Sequence, residues 1–188
     1  MTSTAGILDT PTDWSSDGRY LAFVRTGGAG TNGDIWALPL FGERKPIALV
    51  QSPFNELNAS FSRDARWVAY QSNESGQPQI YVQAFPTTGA KFQISTSGGI
   101  HPLWQPDGKE LLFLSLDSTV MATTINPAPG RFEHGASVPL FEFAVPGNIE
   151  RHVDVAADGR RFLVNAIREQ SRTIPLTVIV NWLAAVQR

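Results

Sequence analysis

Three histidines, His101, His134 and His152, are the side chains of this sequence best suited to proton transfer or metal binding near neutral pH. No two of them lie two, three or four residues apart, and no Asp or Glu completes a ligand spacing beside two of them. Only the folding of distant segments could bring them together. The sequence therefore predicts no metal site, no cofactor and no catalytic residue.

One further pattern that suggests chemistry has a simpler interpretation. Residues 28–33 (GAGTNG) fit the G-x-G-x-x-G pattern, but a dinucleotide site requires a helix directly afterwards, and Asp34-Ile-Trp-Ala-Leu38 has the pattern of a strand. We therefore expect a hairpin loop there. The chain has no G-x-S-x-G elbow and no cysteine, which excludes that type of serine hydrolase, thiol nucleophiles and disulfides.

Four aspartates recur in one short phrase, of which Trp14-Ser-Ser-Asp17-Gly18-Arg-Tyr-Leu21-Ala-Phe23 is the clearest copy. The others are Asp64, Asp107 and Asp158, followed by Ala65, Gly108 and Gly159. Asp before Gly is typical of tight turns, because the carboxylate accepts hydrogen bonds from its own backbone. We therefore interpret these residues as structural repeat turns and not as a ring of catalytic carboxylates.

The repeat also indicates how the chain is organised. The aspartates lie 47, 43 and 51 residues apart, and each turn joins two short apolar strands that a third strand and an edge strand follow. A period of this length with four strands per unit is the signature of a β-propeller blade. We predict an all-β propeller domain over residues 1–188, with about four four-stranded antiparallel blades near residues 10–50, 54–96, 99–143 and 148–182. We expect most tryptophans to pack between blades, and residues 126–135 to form an extra loop on the third blade.

The phrase W-S-x-D-G-[RK]-x-L-x-[FY], followed by Asp34-Ile-Trp36 or Gln79-Ile-Tyr81, resembles the TolB-type propeller repeat, which is related in shape to WD repeats. The ending, Gly159–Asn165 followed by Thr177–Trp182, resembles propellers fused behind bacterial Ser/Thr kinases. This resemblance implies a sensor or scaffold role and an extracytoplasmic location. The N-terminus shows no signal peptide pattern.

Composition limits the partners. The net charge is −2 without a run of basic residues, which argues against nucleic acid. No apolar run approaches the roughly 20 residues that span a membrane, so we expect no membrane insertion. Four units leave three arrangements open: a closed four-blade ring, an open half-propeller, or a homodimer of two halves that completes a larger propeller.

In a propeller the first strand of each blade lines the central channel, and polar residues near these strands give the best candidate binding site. These channel-mouth residues are Asn55, Glu56, Asn58, His101, Glu150, Arg151 and His152. We expect a non-catalytic module that binds a protein or peptide. Two alternatives remain open: an enzyme with an axial active site, of the sugar or lactone lyase or hydrolase type, and a purely structural segment that completes a ring.

Overall fold

The computed structural model describes residues 6–27, 32–86, 89–128, 131–144, 153–166 and 176–180. Every regular element within these ranges is a β-strand, and the strands form four antiparallel sheets that follow one another along the chain. We call these sheets blades 1 to 4. They belong to two compact units, residues 1–102 and 103–188, which are described separately below. The described ranges contain no helix long and apolar enough to cross a membrane.

Unit 1 contains blades 1 and 2 and the beginning of blade 3. In both complete blades the strands pair in sequential order, each with the next. Blade 1 consists of β1 (Leu8–Trp14), β2 (Tyr20–Thr26), β3 (Asp34–Pro39) and β4 (Ile47–Val50). Blade 2 consists of β5 (Glu56–Phe61), β6 (Trp67–Ser72), β7 (Gln79–Ala84) and β8 (Lys91–Gln93).

Blades 3 and 4 complete the described chain. Blade 3 consists of β9 (Ile100–Trp104), β10 (Glu110–Leu114), β11 (Thr119–Ala128) and β12 (Arg131–Glu142). Blade 4 shows three strands in the described ranges, β13 (Val153–Val155), β14 (Arg161–Asn165) and β15 (Leu176–Val180). The prediction of an extra loop over residues 126–135 is wrong. Strands β11 and β12 continue through most of this segment as a paired hairpin, with Asn126 opposite Glu133.

Alternation of side chains across each strand gives every blade two apolar faces. In unit 1, Ala22 and Ala37 of blade 1 are fully buried and share one hydrophobic cluster with Val68 and Tyr70 of blade 2. We call the side of a blade that carries the positions of Ala22 and Ala37 its forward face, and the side that carries Val68 and Tyr70 its rear face. Blade stacking in unit 1 therefore joins a forward face to the rear face that follows in sequence.

Unit 2 repeats this arrangement between blades 3 and 4. Leu112 and Ala122, which are paired across β10 and β11, occupy the forward positions of blade 3. They form one buried cluster with Phe162 and Val164 on the rear face of blade 4. The same pairing of faces thus occurs twice in the molecule.

The repeat turns hold their aspartates in equivalent ways. Asp17 accepts hydrogen bonds from the Arg19 N–H at 3.0 Å and the Ser15 hydroxyl at 2.6 Å. Asp64, Asp107 and Asp158 each accept the same N–H bond from two residues onward, at 2.9–3.2 Å. Ala65 adopts φ 52°, so its turn keeps the left-handed backbone that the other copies give to glycine.

Hydrogen bonds also join blade 1 to blade 2. Asp13 accepts the Phe61 N–H at 2.7 Å and the Ser60 hydroxyl at 3.2 Å through Oδ2, while its Oδ1 accepts the Trp14 N–H at 2.8 Å. The Glu56 N–H donates to the Gly33 carbonyl at 2.8 Å. A Cβ added to Gly33 would lie 2.9 Å from Asn55 Oδ1 and 3.2 Å from the Glu56 carbonyl oxygen, so a side chain at position 33 would require its neighbours to shift.

Candidate functional site

The first strands of blades 1 and 2 are both irregular, and in blade 2 the irregularity lies at the candidate residue Asn58. The pairing of β1 with β2 shifts between Pro11 and Asp13, and that of β5 with β6 shifts between Leu57 and Ser60. Each shift inserts one extra residue, which is a β-bulge. Bulges redirect a side chain out of the regular alternation and are frequent beside functional sites.

Asn58 and His101 occupy the same place in consecutive repeats, six residues before Asp64 and Asp107. Both adopt a left-handed backbone, with φ 54° at Asn58 and 53° at His101. This conformation costs of order 1–3 kcal/mol outside glycine, and asparagine and histidine are among the residues that adopt it most often. A strained residue repeated at one position in two blades indicates a feature that the surrounding structure maintains.

Gln71 connects these two residues. Its Oε1 accepts a hydrogen bond from Asn58 Nδ2 at 2.9 Å and another from the His101 backbone N–H at 3.3 Å. Gln71 is 9 % exposed, and within the described residues its side-chain nitrogen donates no hydrogen bond. The structure therefore brings Asn58 and His101 to one amide group whose two N–H donors remain available. We refer to Asn58, Gln71 and His101 as the amide cluster.

Glu56 lies in the same strand as Asn58 but is fully buried. Its Oε1 accepts hydrogen bonds from the Ser52 hydroxyl at 2.6 Å and the Ser72 hydroxyl at 3.1 Å. Its Oε2 has no hydrogen-bond partner in the described structure, and neither has the buried hydroxyl of Tyr70. Burial raises the pKa of Tyr70 far above its usual value, and the negative charges of Glu74 and Glu56 add to this effect.

Of the four remaining predicted site residues, the structure describes one, Asn55. Asn55 is half-buried, forms a bridge with Gly33, and donates its N–H to Asn73 Oδ1 at 2.9 Å. Glu150, Arg151 and His152 lie outside the described residues. His152 has the repeat position of Asn58 and His101, since it lies six residues before Asp158.

Among the described residues, the amide cluster is better suited to hydrogen bonding than to acid–base or metal chemistry. Asparagine and glutamine amides are neutral, and each offers both donors and an acceptor. The described ranges contain no group of three or more His, Cys, Asp or Glu side chains that could hold a metal ion.

Sequence reasoning missed Gln71. Its signal was present, because Gln71 is a polar residue at the end of the apolar run Trp67-Val-Ala-Tyr70. Trp14 was also misjudged as an inter-blade contact, since its side chain is 58 % exposed, whereas Trp67 and Trp104 are buried.

Comparison with solved structures shows the fold. TolB from Acinetobacter baumannii matches with a TM-score of 0.64 and 20 % identity over 93 % of this chain and 41 % of that one. An oligogalacturonate lyase in complex with manganese matches with a TM-score of 0.68 and 13 % identity over 97 % and 53 %. A periplasmic gluconolactonase from Pseudomonas aeruginosa matches with a TM-score of 0.52 and 16 % identity over 89 % and 55 %.

These matches confirm the predicted fold class: the protein is an all-β propeller-type chain with the TolB-like fold. It spans 41–55 % of the length of these three proteins. At these identities the likeness shows the fold alone, and the neighbours include enzymes as well as TolB. No family model matches the chain, and no curated protein sequence does.

Proposed function

We propose that this chain is a non-catalytic module that binds an extended peptide or protein segment at the amide cluster. The observation that carries this proposal is the pair of left-handed residues, Asn58 and His101, tied together by Gln71. The strain is retained in two blades, and strain of this kind is concentrated at functional sites. A peptide backbone offers alternating C=O and N–H groups, which neutral amides match without a charge requirement.

Substitution of Gln71 by Glu tests this proposal with little change of shape. A carboxylate keeps the oxygen that accepts from Asn58 and His101 but removes both N–H donors, so the fold stays while the ligand contact is lost. The matched control is Gln77→Glu, which makes the same chemical change at an exposed position in the β6–β7 turn.

A phage-displayed library of random peptides supplies the probe. Peptides selected on the wild-type chain are then measured by fluorescence anisotropy against both variants and against the pair His101→Ala and His134→Ala. We expect Gln71→Glu to weaken binding by about tenfold or more, since it removes both side-chain N–H donors. We expect a similar loss for His101→Ala, which removes the imidazole but keeps the backbone N–H that donates to Gln71. The controls at positions 77 and 134 should bind like the wild type. No selected binder, or equal binding by all variants, contradicts the proposal.

An enzyme with an axial active site is the second candidate, and the strained His101 is the observation that favours it. Incubation with oligogalacturonides and with sugar lactones, monitored by absorbance and pH, separates the two proposals. Turnover that His101→Ala abolishes and His134→Ala retains would replace the binding proposal by the enzymatic one.

We also propose an extracytoplasmic location and a place in a longer polypeptide behind a bacterial Ser/Thr kinase. The likeness to a periplasmic neighbour and the resemblance of residues 159–182 to such fusions support these proposals. Cell fractionation followed by immunodetection tests both. An antigen confined to the cytosol contradicts the location, and a band at 20.5 kDa contradicts the fusion.

A further inference from the structure

Asparagine followed by glycine occurs once in the sequence, at Asn32-Gly33. In such a pair the main-chain nitrogen of glycine can attack the side-chain amide carbon of asparagine, because glycine has no side chain to hinder the approach. Asn32 is exposed, and its Nδ2 donates to the Pro53 carbonyl at 3.4 Å, which is long for an N–H···O hydrogen bond. The amide group is therefore accessible and weakly held.

The three Asp-Gly pairs of the repeat turns are held more firmly. Gly18, Gly108 and Gly159 each donate their N–H to the carbonyl oxygen three residues earlier, at 2.8–2.9 Å. The aspartate before each of them accepts the N–H from two residues onward, at 2.9–3.0 Å. Short bonds thus fix both groups that would have to react, whereas within the described residues the Asn32 amide makes only the long bond.

The other described asparagines are less suited to this reaction. Asn126 precedes a proline, which has no N–H to lose. Each of the others precedes Glu or Ala, whose side chain hinders the attack; these are Asn55, Asn58, Asn73 and Asn165. Asn32 is therefore the position at which we expect the reaction first.

We propose that Asn32-Gly33 is a site of spontaneous deamidation, and that the reaction releases a main-chain link between blades 1 and 2. The Gly33 nitrogen loses its proton and bonds to Asn32 Cγ, and the Cγ–Nδ2 bond breaks, so that ammonia leaves with that proton. Water then adds to either carbonyl carbon of the cyclic imide and opens the ring. The product is aspartate, or isoaspartate in which the main chain runs through the side-chain carbons. No oxidant or reductant takes part.

The isoaspartate product has an additional carbon atom in the main chain directly before Gly33. Gly33 fits its place closely, since a Cβ built on it would lie 2.9 Å from Asn55 Oδ1 and 3.0 Å from Leu57 Cδ2. A lengthened main chain cannot keep this fit, so the Gly33 carbonyl, which accepts the Glu56 N–H at 2.8 Å, is displaced. Glu56 is fully buried, and its N–H is then left without a ready partner.

Two substitutions separate reactivity from charge. Asn32→Gln keeps the amide, but its longer side chain would have to close a larger and less favourable ring, so we expect it not to react. Asn32→Asp, measured fresh, has the charge of the aspartate product and a main chain of normal length. We therefore expect this variant to keep the link between Gly33 and Glu56.

Mass spectrometry after incubation tests the reaction. The full chain is incubated in mildly alkaline and mildly acidic buffer, both folded and unfolded in urea, and then digested. We expect the peptide that contains residue 32 to gain about 1 Da, and to do so faster at higher pH because the attacking nitrogen must lose its proton. Labelling by an isoaspartate methyltransferase identifies the isoaspartate. The reaction in the folded chain should be at most about tenfold slower than in urea, since exposed segments open at little cost.

Hydrogen exchange of the Glu56 amide tests the release of the link. We expect exchange to be about tenfold faster or more in the isoaspartate fraction, purified by ion exchange, and unchanged in Asn32→Asp. Greater protection in the folded chain, equal reaction of Asn32→Gln, earlier isoaspartate at an Asp-Gly turn, or isoaspartate with unchanged Glu56 exchange each overturns the proposal. Circular dichroism shows that each fraction is folded, and no readout depends on a ligand of the amide cluster.

Discussion

We expect Asp13→Ala to destabilise the isolated chain and Asp154→Ala, the matched substitution in blade 4, to have little effect on its stability. Both aspartates have the same repeat position and the same local bond to the N–H of the next residue, at 2.8 and 2.9 Å. Only Asp13 also accepts hydrogen bonds from a neighbouring blade, from the Phe61 N–H at 2.7 Å and the Ser60 hydroxyl. The comparison therefore isolates the stability that the inter-blade contact contributes.

The expected loss in the free energy of unfolding follows from the hydrogen-bond donors that Asp13→Ala leaves without an acceptor. Phe61 is 5 % exposed, so removal of the Asp13 carboxylate leaves its N–H without a partner and with little access to water. An orphaned buried donor costs about 1–3 kcal/mol, and hydrogen bonds to a charged acceptor contribute about 1.5–3 kcal/mol. We expect Asp13→Ala to lower the free energy of unfolding by about 2–4 kcal/mol. Asp154→Ala should cost less than about 1 kcal/mol, because water replaces an exposed bond.

Urea unfolding followed by tryptophan fluorescence measures the difference, at a protein concentration low enough that association does not contribute. Hydrogen exchange of the 56–61 segment locates it, since Asp13→Ala should speed exchange there and Asp154→Ala should not. If the two variants lie within about 0.5 kcal/mol of each other, the carboxylate does not hold the blades together and the reasoning fails.

Three further substitutions test single features of unit 1. Ala65→Gly should raise the free energy of unfolding by about 0.5–1 kcal/mol in urea titrations, because φ 52° strains alanine; a loss contradicts this. Tyr70→Phe should leave stability unchanged or higher by the same assay, since it removes a buried hydroxyl without a partner; a loss above about 1 kcal/mol would show that the hydroxyl is bound. The hydrogen bond from Arg25 lowers the pKa of Asp9 below its model-compound value of 3.8, so its contribution is present above that pH and is lost as the pH falls through the lowered value. Thermal melts of Asp9→Asn and the wild type should therefore differ at pH 7 and converge in acid, and a constant difference would refute the assignment.

The four-stranded blades could be predicted from the sequence because three separate patterns in it indicate the same structure. The turn around Asp107 and Gly108, the apolar strands beside it and the repeat spacing all depend on local backbone preferences that one chain displays directly. The long β11–β12 hairpin was not predicted, because Pro127, Pro129 and Gly130 favour a loop locally. Pairing of Asn126 with Glu133 overrides that preference.

The candidate site was predictable only in part. Asn58 and His101 were selected because polar residues stood near the inner strands, but nothing in the sequence showed their left-handed backbone. Their common acceptor, Gln71, depends on contacts between different strands and blades, which a linear pattern does not contain. Glu56, another of the predicted channel-mouth residues, is fully buried, and the Ser52 and Ser72 hydroxyls both donate hydrogen bonds to its Oε1, which the sequence did not indicate.

The link between the Glu56 N–H and the Gly33 carbonyl has a counterpart one repeat later, where the Gly99 N–H donates to the Pro78 carbonyl at 2.9 Å. Both links join main-chain atoms, and the residues that form them are of three types, Gly, Glu and Pro. At Glu56 and Pro78 each hydrogen bond uses only a main-chain atom, so the links place little constraint on the side chain at these two positions. Substitutions at those two positions can therefore change the sequence while the main-chain links between consecutive blades stay in place.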